Sequence, residues 1–246
     1  MAAMRSGNPV LGSTTFTGLP RIGVQAMTLQ GTVNKTGVLL ICVFATSVWT
    51  WNHVRAGSDA GPLIAVGAIA GFVMGMVTAF KKNWSPVTAP IYALLEGLVI
   101  GGLSAMLESR LPGIAIQATG LTFATLFSLL LAYRSGLIRP SANFKLGVVA
   151  ATGGIALLYL STMLLGFFGH TIPLIYGSGV IGIGFSFIVV GIAAMNLVLD
   201  FDFIESGARQ GAPKYMEWYG AFGLIVTLIW LYFEILRLLS KLRGRR

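Results

Sequence analysis

Seven long apolar runs dominate this chain and constrain what it can fold into. A helix needs about 20 apolar residues to cross roughly 30 Å of hydrocarbon, and each run approaches or exceeds that length. The runs cover residues 37–54, 61–80, 87–107, 113–133, 146–168, 177–204 and 218–239. This pattern predicts an all-α, polytopic membrane protein with seven transmembrane helices in one bundle.

Composition agrees with a membrane protein and excludes other classes. Only 10% of residues are charged, whereas a soluble domain normally carries about a quarter. The apolar runs are continuous and do not alternate every second residue, which excludes a transmembrane β-barrel. Cys42 is the single cysteine, so we expect no internal disulfide and no cysteine-based metal site. The net charge of +9 is spread between the apolar blocks, so we expect no nucleic-acid partner.

The segments around these runs are short. Residues 1–36 are polar, rich in Gly, Thr and Ser, and lack the apolar stretch of a secretory signal, which predicts a partly disordered cytosolic tail. Residues 37–240 would form the seven-helix domain and residues 241–246 a basic carboxyl-terminal tail. Two glycine stripes, Gly67-x3-Gly71-x3-Gly75 and Gly97-x3-Gly101, are typical of close helix packing.

Basic residues near span ends normally stay in the cytoplasm. With the amino terminus inside, ten basic residues fall on the inner side and only Arg55 and Arg110 on the outer side. The inner ten are Arg5, Arg21, Lys35, Lys81, Lys82, Arg134, Arg139, Lys145, Arg209 and Lys214. The basic residues after the last run oppose this orientation, and one re-entrant segment would return them to the cytosol. Because early helices usually dominate, we expect seven spans with a cytoplasmic amino terminus.

Acidic residues inside the apolar runs are the candidate functional groups. A carboxylate at mid-bilayer costs roughly 2.5–3.5 kcal/mol even on the lenient insertion scale, so such residues usually have a function. Glu96, Asp200 and Glu234 lie within runs, and Asp202 lies at a boundary. The remaining acids, Asp59, Glu108, Glu205 and Glu217, lie in connections or at span ends, where we expect them to be solvated.

Depth suggests how two of these acids could meet. Glu96 is nine residues past Val87, and Asp200 is nine residues before Arg209, which places each about 14 Å from the inner boundary. Two carboxyls in close contact away from water share a proton, so this pair would form a proton-operated switch. When deprotonated it would attract a cation. Glu96 could instead hydrogen-bond a neighbouring Thr or a backbone carbonyl.

Glu234 has a basic neighbour. Arg237 lies three residues later on the same helical face, which favours a structural ion pair over proton sensing. Other chemistry has little support: Ser104 lacks the Gly-x-Ser-x-Gly context of a serine hydrolase. Because no nucleophile–base pair is visible, we expect neither an enzyme nor a cofactor.

The carboxyl-terminal third carries a family resemblance. The stretch 196–204 (NLVLDFDFI), a short polar connection, and the ending 231–239 (LYFEILRLL) resemble the Bax inhibitor family (YccA-like). The segments 8–11 (NPVL), 33–36 (VNKT) and 211–218 (GAPKYMEW) resemble its bacterial branch with a longer amino-terminal tail.

This resemblance implies a seven-helix fold with the last helix surrounded by the other six. It also implies a pH-dependent calcium leak controlled by acids on the last two helices, and a basic latch residue after the second span. Asp200 matches the sixth-helix acid, and Lys81 or Lys82 falls at the latch position. Aligned on Arg237, the seventh-helix acid is replaced by Val226. The second carboxylate would then be Glu96, with Glu234 as the alternative.

Two functions from different classes follow. The first is a cation leak channel gated by protonation, in which Asp200 and Glu96 would bind calcium weakly in transit. The second is a non-conducting regulator that binds a membrane protease or chaperone, in which the acids would be structural. A proton-coupled transporter would share the buried acids, but no internal repeat between the halves is visible.

Overall fold

The structure, a computed structural model, describes residues 26–168, 177 and 179–244. Within these ranges seven helices are long and apolar enough to cross a membrane. They are α1 Leu29–Arg55, α2 Gly61–Phe80, α3 Ser85–Arg110, α4 Ile114–Arg134, α5 Ala142–Phe167, α6 Val180–Arg209 and α7 Met216–Arg243. The predicted all-α bundle of seven spans is therefore confirmed.

The first and last helices extend beyond their apolar runs. Thr28 caps α1 by accepting a hydrogen bond from the Gly31 amide, and such a cap satisfies one of the unpaired N–H groups at a helix start. Residues 29–36 belong to α1 and residues 241–243 to α7, although the sequence placed both segments in the tails. The remaining predicted tail residues, 1–25 and 245–246, lie outside the described residues.

The helix α7 lies at the centre of the bundle. Of its most apolar stretch 67% is buried, compared with no more than 44% in any other helix. It packs against α1, α3, α4 and α6, whereas α2 packs mainly on α3 and α5 on α6. The implied arrangement, with a central last helix, is confirmed, although α2 and α5 stand mostly behind its nearest neighbours.

Both glycine stripes mediate close helix packing, as predicted. A Cβ atom on Gly101 would lie 2.3 Å from the Ser47 carbonyl oxygen of α1, and one on Gly67 would lie 2.7 Å from the Leu95 oxygen of α3. Real Cβ atoms do not approach other atoms this closely, so only glycine permits these crossings. The α1–α2–α3 part of the bundle is consequently its most tightly associated region.

Candidate functional site

Asp200 lies inside the bundle, beside the central helix. Its side chain is fully buried, with 0% exposure. Ile204, one turn later on the same face of α6, touches α7, since a Cβ on Gly220 would lie 3.2 Å from Ile204 Cγ1. Because the two helices are antiparallel, Asp200 is level with about residue 224 of α7. The predicted sixth-helix acid is thus enclosed by protein.

The two candidate latch lysines occupy different environments. Lys81 ends α2 and is exposed. Lys82 begins the 3-10 turn that joins α2 to α3 and is half-buried, with its ammonium 6.0 Å from the ring centroid of Tyr219. On α7, Tyr219 lies five residues, or about 7.5 Å, before the level of Asp200. Lys82 is therefore better positioned than Lys81 for the latch role.

Glu96 faces the second helix. Its carboxyl lies beside the Tyr92 side chain, one turn earlier on α3, and a Cβ on Gly71 of α2 would lie 3.1 Å from Glu96 Oε1. The contacts of Glu96 are thus with α2 and with its own helix. Its pairing with Asp200, which depth suggested, stays a prediction.

Glu234 forms the ion pair that its spacing predicted. Its carboxylate is nearly fully buried, at 1% exposure, and Oε2 lies 2.9 Å from Arg237 Nη1. The Tyr159 hydroxyl of α5 donates to Oε1 at 2.9 Å, and Trp230 Nε1 donates to the same oxygen at 3.2 Å. Glu234 is ten residues beyond the level of Asp200, or about 15 Å along α7. These two acids are therefore separated along the helix axis.

The predicted calcium ligands are Asp200 and Glu96, and Glu234 does not join them at the level of Asp200. Residue spacing along a helix fixes depth but not which neighbour a side chain faces. In the part of the chain that the structure describes, no three His, Cys, Asp or Glu side chains cluster as a metal site would require. Any cation passing Asp200 would draw its other ligands from backbone carbonyls and water.

The Glu217 carboxylate is a buried polar group that sequence reasoning missed. We expected it to be solvated, but its side chain is fully buried. It forms ion pairs with Lys35 of α1 and, at 2.9 Å, with Lys214. It also accepts hydrogen bonds of 2.9 Å from the Thr28 amide and hydroxyl. We call these four residues, Thr28, Lys35, Lys214 and Glu217, the Glu217 clasp.

The clasp joins the start of α1 to the start of α7. A backbone hydrogen bond of 2.7 Å from the Met27 amide to the Ala212 carbonyl extends the same junction. Gly31 is required for it, since a Cβ there would lie 2.1 Å from Glu217 Oε1. The sequence held one signal for this contact, because Lys35 and Lys214 both flank the predicted inner boundary. The two lysines lie far apart in the chain, so the sequence did not show that they share a partner.

The remaining acids at this end form more exposed contacts. Asp202 is paired with Lys145 of α5, which agrees with its predicted boundary position. Glu205 accepts a hydrogen bond from the Tyr133 hydroxyl of α4 and lies 3.3 Å from Arg209. These contacts tie α4 and α5 to the end of α6.

At the opposite end, polar side chains hold the basic carboxyl terminus. Lys241 is buried and donates to the Gly182 carbonyl at 3.0 Å and to the Ser186 hydroxyl at 2.8 Å. Arg243 donates to the Pro112 carbonyl at 2.6 Å. Glu108, expected to be solvated, instead accepts hydrogen bonds from the Gly113 and Ala115 amides at the start of α4.

These contacts bear on the charge conflict at the carboxyl terminus. Arg237, Lys241 and Arg243 are engaged with a carboxylate, a hydroxyl or backbone carbonyls of the same bundle. These three basic groups therefore have partners within the protein itself.

Comparison with known proteins identifies the family. A family profile described as Bax inhibitor 1 like matches residues 8–244, nearly the whole chain. The chain belongs to the Bax inhibitor 1-like family. The comparisons with curated proteins and with solved structures gave no match. The family match spans all seven helices described above.

Proposed function

We propose that this chain is a pH-sensitive cation leak channel in which Asp200 is the titrating group and Lys82 the latch. The observation that carries the proposal is the complete burial of Asp200 beside the central helix. A carboxylate in such a position is costly unless a positive charge or a proton accompanies it. Its protonation state is therefore coupled to how the surrounding helices are arranged.

The position of Lys82 supplies the second half of the argument. Its ammonium is held over the Tyr219 ring, and a cation over an aromatic face is stabilised there. Tyr219 lies about 7.5 Å along α7 from the level of Asp200. An ionised Asp200 attracts this ammonium and draws the α2–α3 turn towards α6 and α7. Protonation of Asp200 removes that attraction, so the latch loosens and the inner end of the bundle opens.

The permeant ion would bind only weakly. Calcium prefers six to eight oxygen ligands, and one carboxylate supplies two. Waters and carbonyls must complete the shell, which fits transit because a conducted ion must also leave. Glu96 and Glu234 are engaged with Tyr92 and Arg237, so in this proposal they stabilise the bundle and do not sense pH.

The proposal includes the orientation. Four lysines lie at the end of the bundle where α1 begins: the clasp residues Lys35 and Lys214, together with Lys82 and Lys145. Positive residues normally stay cytoplasmic. Arg5 and Arg21, which contribute to the predicted inner charge, lie outside the described residues. We therefore assign the amino terminus to the cytoplasm and the protein to the inner membrane of a bacterium.

Ion flux through the purified protein in liposomes tests the mechanism. Calcium entry is followed with an enclosed calcium dye while external pH is varied. We expect the wild-type leak to rise as pH falls, and the Asp200→Asn leak to be high and independent of pH. Asp202→Asn is the matched control, because Asp202 lies two residues away but is partly exposed and paired with Lys145.

The latch is tested in the same liposomes. Lys82→Gln should raise the leak at neutral pH, whereas Lys81→Gln should not, because Lys81 is exposed at the end of α2. If Asp200→Asn keeps the wild-type leak and its pH dependence, the gating mechanism is wrong. If both lysine variants behave alike, Lys82 is not the latch.

A second candidate is a non-conducting regulator that binds a membrane protease or chaperone. It is favoured by the engagement of Glu217, Glu234 and Glu96 in structural contacts, as expected if the buried acids only hold the bundle together. Liposomes silent at every pH, together with a stoichiometric protein partner on purification from membranes, would support this function over the channel.

A further inference from the structure

A large cavity lies in the lipid-facing side of the bundle, between α1 and α4. Its volume is about 830 Å³, within the range of roughly 300–1,000 Å³ typical of ligand pockets. Ile41 and Phe44 of α1 line one wall, and Ile116 and Phe123 of α4 line the other. Among the described residues α1 and α4 make at most a weak contact with each other, so the space between them is a cleft.

The cleft is continuous with the surface that faces the membrane. Phe44 is 64% exposed and Ile116 78% exposed, although both line the cavity. Side chains this apolar and this exposed on a transmembrane helix contact lipid hydrocarbon. Whatever enters the cleft from the side therefore comes from the bilayer core.

The floor of the cavity offers little to a polar ligand. It is formed by α3 and α7, where the Ser104 and Tyr232 hydroxyls are hydrogen-bonded to each other at 2.6 Å. On the α4 wall, the Thr122 hydroxyl donates to the Ala118 carbonyl at 2.8 Å. Because these hydroxyls already have partners, the lining that remains is apolar, and an apolar cavity of this kind favours hydrocarbon over water.

One end of the cavity fits the polar part of a lipid. Trp51 and Asn52 line the cavity near the end of α1, and the exposed Arg55 follows within one turn. Tryptophan is favoured at the boundary between hydrocarbon and headgroups, and an arginine complements a phosphate. At this end the Glu108 carboxylate accepts hydrogen bonds from the Gly113 and Ala115 amides at the start of α4.

We propose that the cleft between α1 and α4 binds one acyl chain of a membrane phospholipid, with the phosphate near Arg55. The lipid belongs to the leaflet at the Arg55 end of the bundle. It fills space beside Ile225 and Ile229 of the central helix, which line the cavity, and unfilled space in a protein interior loses dispersion contacts. The site is independent of the gating proposed for Asp200.

Native mass spectrometry tests the lipid site. The protein is reconstituted into vesicles of phosphatidylethanolamine and phosphatidylglycerol in equal parts, extracted again in mild detergent, and analysed for retained phospholipid. We expect one bound phospholipid on the wild type. Ile116→Trp, which fills the cleft from its exposed wall, should lower the bound fraction about tenfold, the change expected when roughly two methylene groups lose their place.

The controls are matched by exposure, and in the first pair also by helix. Leu131→Trp places the same side chain at another exposed position of α4, outside the cavity, and should retain the lipid. Ala45→Phe and Ala68→Phe form a second pair, in which Ala45 lines the cavity and Ala68 is exposed on α2. A wild type with no adduct, a detergent adduct alone, or equal lipid retention within both pairs would overturn the proposal.

Discussion

Neutralising Glu217 should destabilise the bundle although the residue lies far from Asp200. In Glu217→Gln the hydrogen bonds from Thr28 retain an acceptor, but Lys35 and Lys214 lose their counter-ion. Removing one partner of a buried ion pair costs about 3–5 kcal/mol. The two lysine side chains are 18% and 43% exposed and regain part of their hydration, so we expect the lower end of that range, about 3 kcal/mol.

The free energy of unfolding is measured by titrating the protein in dodecyl maltoside with sodium dodecyl sulfate and following helix content. Arg209→Gln is the control, because Arg209 forms an exposed ion pair with Glu205 at the same end. Exposed pairs contribute no more than about 1 kcal/mol. If Glu217→Gln loses no more than Arg209→Gln does, the clasp does not hold α1 to α7 as described.

Three further predictions follow from the packing, the second ion pair and the orientation. Gly101→Ala should lower the free energy of unfolding by about 1–3 kcal/mol, because the new methyl group overpacks against the Ser47 carbonyl. Gly120→Ala, with no atom within 4 Å of the new Cβ, should be neutral or stabilise by up to about 1 kcal/mol. Sodium dodecyl sulfate titration measures both, and equal effects would contradict the close crossing. Arg237→Met should cost about 3 kcal/mol by leaving the Glu234 carboxylate buried and unpaired, and adding Glu234→Gln should recover much of that loss; no recovery would mean that charge is not the cause. In intact cells, a fluorescent protein fused to the amino terminus should fold and one fused to the carboxyl terminus should not; fluorescence from both would indicate an even number of crossings.

The apolar runs predicted the helices well because crossing a membrane imposes length and composition on each segment separately. The same principle pointed to Asp200 and Glu234, since an acid within such a segment is unusual wherever the helix packs. Glu234 and Arg237 could even be paired from sequence, because residues three apart on a helix share a face. These predictions needed no knowledge of how the helices are arranged.

The contacts between helices were less predictable. Glu96 and Asp200 have similar predicted depths, but depth alone does not show that Glu96 faces α2. Glu217 lies beside a polar connection, which suggested hydration, yet it is buried by Thr28 and Lys35 from the start of α1. The deciding partner is 189 positions away in the chain, and no local pattern reveals a contact at that distance.

The most direct test of the gating account is the protonation of Asp200 itself. Infrared difference spectra between high and low pH, recorded on the protein in liposomes, show a protonated-carboxyl band that is assigned by its loss in Asp200→Asn. The account predicts that this band grows over the same pH interval in which the calcium leak rises. An Asp200 carboxyl whose protonation stays constant while the leak changes would contradict it.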